Sequence, residues 1–175
     1  MWQDKEKAPR VPTSQWGYML HINGHKLQPD KMIRFRLRAK HFSVPGGHTL
    51  TFDQTGNAYF WSNPGFGGYV YKGKISKRTV KFRLTHQILR HIPGTRIQSM
   101  GYNQVRKRLL LISDGSIASF SANRLKGHGS LTNHNFEWTK FKPIREFEGV
   151  AYDGSSHGNL LVNHCPEVLQ ADKAF

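Results

Sequence analysis

His48-Thr49-Leu50-Thr51-Phe52-Asp53, followed after a turn by Ala58-Tyr59-Phe60-Trp61-Ser62-Asn63, is the first of three stretches that superpose without gaps at an interval of 50 residues. The second is Gln98-Ser99-Met100-Gly101-Tyr102-Asn103 with Arg108-Leu109-Leu110-Leu111-Ile112-Ser113. The third is Glu148-Gly149-Val150-Ala151-Tyr152-Asp153 with Gly158-Asn159-Leu160-Leu161-Val162-Asn163. Phe52, Tyr102 and Tyr152 stand in register, as do Asp53, Asn103 and Asp153. Each unit reads as an apolar strand closing on an aromatic, an Asx residue, and a second apolar strand. An Asx side chain hydrogen-bonds the backbone two residues on and so starts a turn. Gly56-Asn57 and Gly158-Asn159 add the positive φ angles that tight connections need. Repetition at such an interval marks a repeat architecture.

More strands fit between these hairpins. Tyr69-Val70-Tyr71 and Ser116-Ile117-Ala118 each follow a glycine-containing turn, and residues 80–84 and 138–142 alternate apolar with basic. Upstream, residues 16–22 and 32–38 read as two further strands. No window carries helical periodicity. Four strands per unit predicts an all-β, β-propeller-like fold with four-stranded antiparallel blades. An antiparallel sandwich is the alternative, and it leaves the repetition unexplained. The expected division is an N-terminal extension over 1–15, blades over 16–164 and a tail over 165–175. Residues 16–38 would supply the outer strands of a partial blade, 48–84 and 97–142 full blades, and 147–164 the inner strands of another partial blade. That is about three blades' worth, an incomplete ring with two raw edges. Completion by a longer polypeptide or by a second copy, a homo-oligomer, is therefore expected.

With 175 residues, the chain suits one domain with a real core. Apolar residues at 37% and charged residues at 21% fit neither a disordered chain nor a helical membrane protein. No apolar run approaches the roughly 20 residues of a membrane-crossing helix. Lys and Arg number 26 against 11 Asp and Glu, a net charge of +15, which points to a polyanionic neighbour. A single cysteine, Cys165, excludes an internal disulfide and a multi-cysteine zinc site. Its neighbour His164 points to the opposite face of an extended chain, so no Cys–His nucleophile is expected. The start Met1-Trp2-Gln3-Asp4-Lys5-Glu6 lacks the order of a secretion signal. The ten histidines are scattered, without metal spacing to carboxylates.

The inner strand of a propeller blade lines the central channel, and chemistry gathers at its mouth. His48, Gln98 and Glu148 each stand four residues before an in-register aromatic, polar groups in otherwise apolar strands. Asn63, Ser113 and Asn163 end the second strands near the same mouth, with Asp114 next to Ser113. The expected ligand-binding set is therefore His48, Gln98, Glu148, Asn63, Asp114 and Asn163, unless these groups only hydrate the channel. Glu148 is suited to accept a proton or bind a cation and His48 to serve as base or ligand, but the sequence assigns no catalytic role, and no resident cofactor is expected. The basic residues are more ordered: Arg34, Arg36 and Arg38 share a strand face, as do Lys81 with Arg83 and Lys140 with Lys142. Each pair or triplet falls on an expected outermost strand, giving a basic rim that either guards sheet edges or binds a polyanion.

Met32-Ile33-Arg34-Phe35-Arg36-Leu37, Gly47-His48-Thr49, Arg96-Ile97-Gln98-Ser99-Met100-Gly101-Tyr102 and Glu146-Phe147-Glu148-Gly149-Val150 together resemble the C-terminal half of the helveticin J-like family, over most of residues 16–163. Those are large lactobacillal bacteriocins with secreted relatives. The resemblance implies a protein at or on a Gram-positive envelope, with teichoic-acid-type polymers as partner and no established catalytic residues to carry over. The family's N-terminal portion has no counterpart here, so the resemblance implies a truncated relative. Separately, Glu148-Gly149-Val150-Ala151-Tyr152-Asp153 resembles a strand of gluconolactonase-like propellers, whose glutamate binds a metal. That likeness implies a metal-dependent hydrolase with a divalent cation near Glu148, although Asn163 and Asp114 lie in no matching motif. Nucleic-acid binding is the remaining alternative for so basic a chain.

Overall fold

Short apolar runs separated by Asx and glycine turns satisfy their backbone groups by lateral pairing. The computed structural model describes residues 15–39, 50–62, 68–76, 79–89, 97–142, 146–152, 154, 157–163 and 167–170. In chain order the strands are β1 (Gln15–Asn23), β2 (Gln28–Ala39), β3 (Leu50–Phe52), β4 (Asn57–Ser62), β5 (Tyr69–Ser76), β6 (Thr79–Ile88) and β7 (Ile97–Asn103). They continue as β8 (Arg108–Ser113), β9 (Ser116–Ser121), β10 (Gly129–Leu131), β11 (Glu137–Lys140), β12 (Phe147–Tyr152), β13 (Gly158–Val162) and β14 (Glu167–Gln170). Two single-turn 3-10 helices, Ala122–Arg124 and Asn133–Asn135, interrupt the path between β9 and β11. The fold is all-β.

Three sheets form. Strands β7, β8, β9 and β11 make a four-stranded antiparallel sheet of order β11-β9-β8-β7, and β3 to β6 make an antiparallel meander before it. The hairpin β1–β2 does not stand apart as half of a preceding blade. Arg36–Ala39 of β2 run parallel to Thr79–Phe82 of β6 and extend that sheet. The far half of the same edge, His86–Ile88, is taken by β10, also parallel. Thus the glycine-containing stretch 126–130 includes strand residues Gly129 and Ser130. Both additions have one physical reason: β6 would otherwise present a row of unpaired amides and carbonyls. The last sheet is β12-β13-β14, so the expected tail beyond residue 164 contributes a third strand along Asn159–Val162.

The pairing register refines the repeat. Phe52 faces Ala58, Tyr102 faces Leu109 and Tyr152 faces Gly158. Asn103 pairs with Arg108 across a four-residue turn, whereas Asp53 meets Asn57 across three. The interval of 50 therefore holds for the first strands and slips by one in the second strands. Tyr59 and Trp61 pack with Met100, Leu109 and Leu111 of the middle sheet. Leu110 and Ile112 turn the other way and pack with Phe147, Leu160 and Val162 of the last sheet. Every residue of β8 from Leu109 to Ser113 is buried, which explains its unbroken apolar run. Strand β7 lies beside both β3 and β12, so first strands neighbour one another as the inner strands of propeller blades do.

The contacts between units are specific. Trp61 Nε1 donates to the Ser99 carbonyl at 3.1 Å, and the Tyr59 ring stacks on Tyr102 with centroids 5.8 Å apart and planes 7° from parallel. Gln104 accepts from the Gln54 amide at 3.2 Å, joining two turns 50 residues apart. Asp53 holds its own turn. Its Oδ1 accepts from the Thr55 and Asn57 amides at 2.9 Å each, and its Oδ2 accepts from Asn57 Nδ2 at 2.7 Å and the Tyr59 hydroxyl at 3.0 Å. Partial burial pushes the Asp53 carboxyl up, but these hydrogen bonds outweigh it and bring it from 3.8 down to about 2. Gly101 lets β7 and β12 approach closely, because a Cβ there would run into Val150 Cγ1.

Gly101→Ala should lower unfolding free energy by about 1–3 kcal/mol in urea titrations, and Val150→Ala in the same chain should recover part of that loss. Asp53→Asn should cost about 1 kcal/mol at neutral pH. A folded-state value below the unfolded one gives stability that is present above about pH 4 and lost as pH falls through about 2. The difference between wild type and Asp53→Asn should accordingly shrink toward zero near the acid end of the titration.

Candidate functional site

Strand β7 bulges between Ile97 and Ser99, and β12 bulges between Phe147 and Gly149. The unpaired residues at these two irregularities are Gln98 and Glu148. A bulge re-aims the side chain of its extra residue out of the regular alternation. Both side chains turn toward the end of the second strand of their own unit. Gln98 Nε2 donates to Asp114 Oδ1 at 2.7 Å, in a half-buried setting. Asn163 Nδ2 donates to Glu148 Oε1 at 3.4 Å and to Glu146 Oε2 at 3.3 Å, both exposed.

By pairing register, Asp114 and Asn163 are equivalent, each one residue past the strand that pairs with the bulge. The two units therefore carry the same amide–carboxylate couple with the roles exchanged. In the middle unit the amide is on the first strand and the carboxylate follows the second. In the last unit the carboxylate is on the first strand and the amide follows the second. Ser113, read from the sequence as the counterpart of Asn163, is instead buried and hydrogen-bonded to Ser116 at 2.7 Å between the two Oγ atoms. The slipped register moves that role to Asp114. His48 and Asn63, the corresponding couple of the first unit, lie outside the described residues, as do His164 and Cys165.

Each couple offers one acceptor-rich carboxylate edge beside an amide with both donor and acceptor atoms, a pattern suited to hydroxyl groups. Among the described residues, no group of three or more His, Cys, Asp and Glu side chains is placed to hold a metal ion. The chemistry that these two couples themselves supply is hydrogen bonding.

The basic residues divide by environment. Lys81 and Arg83 are exposed on β6 and alternate with buried Phe82 and Leu84. Lys140 is exposed at the end of β11, and Lys142 is exposed in the bend that follows, so the two do not share a strand face as expected. Arg34, Arg36 and Arg38 lie in β2, whose backbone is flanked by β1 and β6, so theirs is an interior strand and not the outermost one. Their side chains are outside the described set. Arg108, at the start of β8, is a structural tie: Nη2 donates to the Ser119 carbonyl at 3.0 Å and Nη1 meets Glu137 Oε1 at 3.1 Å. Sequence reasoning missed this joint, although an arginine opening a strand opposite serine was visible.

No family model matches the chain, and no curated protein does. Among solved structures, the crystal structure of a protein from Lactobacillus plantarum aligns over 90% of the chain at 9% identity, with a TM-score of 0.46. The chain spans about half, 52%, of that protein's length. No helix among the described residues is long and apolar enough to cross a membrane.

The two couples differ in strength, and their variants should differ with them. Gln98→Glu sets two carboxylates at hydrogen-bond distance and should lower stability by roughly 1–2 kcal/mol at neutral pH. Glu148→Gln, whose contacts are long and exposed, should change it by less than about 0.5 kcal/mol. Thermal unfolding of both variants at pH 7 checks the contrast.

Proposed function

We propose that this chain is a polyanion-binding module of a cell envelope, of the helveticin-like kind, attached to a teichoic-acid-type polymer through exposed basic side chains. The observation that carries the reading is the setting of Lys81 and Arg83. Cations on an edge strand commonly serve to block sheet-to-sheet pairing. The edge of β6 is already bonded by β2 and β10, so these two side chains are not needed as guards. Buried Phe82 and Leu84 fix the strand beneath them and hold both charges outward. Lys140 and Lys142 add further exposed positive charge, in a chain with 26 basic and 11 acidic residues.

Attachment follows from counterion release along the polyphosphate, and the amide–carboxylate couples at 98/114 and 148/163 supply contacts to polymer hydroxyls. The first effect dominates affinity and the second adds selectivity. The reading places the protein at the cell surface, in line with the helveticin-like resemblance.

Binding to isolated Gram-positive walls should weaken by at least about tenfold between roughly 50 and 200 mM salt. The double variant Lys81→Glu, Arg83→Glu should bind more weakly at low salt and show a shallower salt dependence. Retention that ignores salt would overturn the reading. Tighter binding to DNA than to teichoic acid at equal ionic strength would assign a nucleic-acid partner instead. Cation-dependent lactone hydrolysis abolished by Glu148→Gln would assign the hydrolase.

A further inference from the structure

Residues 61, 112 and 161 occupy one position in the three units, each three residues beyond the partner of the in-register aromatic. Trp61 and Ile112 are fully buried against the sheet that follows. Leu161 is 52% exposed. Its cross-strand partner on β14, Val168, is 66% exposed, and Ala151 on β12 is exposed on the same face. Above Gly149 an added Cβ would meet nothing within 4 Å. The outer face of β12–β14 is thus an apolar sheet face of the type that the two earlier units cover.

We infer that this face docks on the same face of a second copy of the chain, in a two-fold contact centred on Leu161 and Val168. Two observations choose the occupant. A two-fold contact sets each residue near the axis against its own copy, so a charge there opposes itself. Gly149, Ala151, Asn159, Leu161 and Val168 include no charged residue, in a chain whose net charge is +15. The second is at the other end of the stack. Ala58, Phe60 and Ser62 form the face equivalent to those packed on a preceding sheet, and they are 0%, 1% and 5% exposed. A head-to-tail ring of two copies has no open acceptor there, which leaves like against like.

Sedimentation velocity on the full chain, across the micromolar range, tests this. A reversible dimer is expected, tighter at high salt because salt screens the repulsion between two copies of charge +15. Leu161→Lys and Val168→Lys should each weaken dimerisation by at least about tenfold, with melting temperature unchanged. Val105→Lys, at an exposed apolar residue in the β7–β8 turn, should leave it intact. A monomer at every concentration and salt, or a dimer indifferent to both β12–β14 variants, overturns the inference. Salt acts here in the opposite direction to its effect on polyanion binding, so either reading can fail while the other stands.

Discussion

Everything in the fold depends on β8 having two covered faces. Leu109 and Leu111 face one core, Leu110 and Ile112 the other, and none of the four is exposed. A strand in that position cannot shift by one residue without exchanging partners on both sides at once, and so its register is fixed by packing rather than by its turn alone. Burial of four such side chains contributes roughly 1.5–3 kcal/mol each, before the entropy of ordering the chain is set against it. The neighbouring sheets need the same strand. Trp61 reaches the backbone of β7, and Val150 comes close enough to Gly101 that only glycine fits.

Much of this was legible in the sequence, and the failures have physical causes. The repeat could be read because Asp53, Asn103 and the in-register aromatics carry local chemistry, turn initiation and core filling, that does not need the rest of the chain. The one-residue slip could not, because the longer turn is closed by Lys107 at φ 54°, a left-handed residue without the glycine that signals it at Gly56. Parallel pairing of β2 with β6 was invisible for another reason: no turn links the two segments, and register between distant strands leaves no local mark. β10 is three residues long, Gly129-Ser130-Leu131, below the length at which alternation is readable.

The candidate site shows the same division. Polar residues in apolar strands identified Gln98 and Glu148, and both proved to sit at bulges. Which groups they meet depends on the turn-length difference, and that is why Asp114 rather than Ser113 is the partner of Gln98. The exchange of amide and carboxylate between two equivalent couples preserves a neutralising hydrogen bond while reversing which strand carries the charge. The two neighbouring couples therefore present opposite polarity along the same direction.

The crossing of β10 onto β6 has a consequence for how the protein comes apart. Residues 129–131 leave the middle sheet, bond the outer strand of the preceding one, and return to build β11. The middle unit cannot open without freeing that edge, and the earlier unit cannot open without pulling on the segment between β9 and β11. Repeat proteins commonly lose their units one at a time from an end, since each touches only its neighbours through a single interface. Here a segment of one unit is woven into another, so the two should melt as a single cooperative block and fraying should begin at the β12–β14 end.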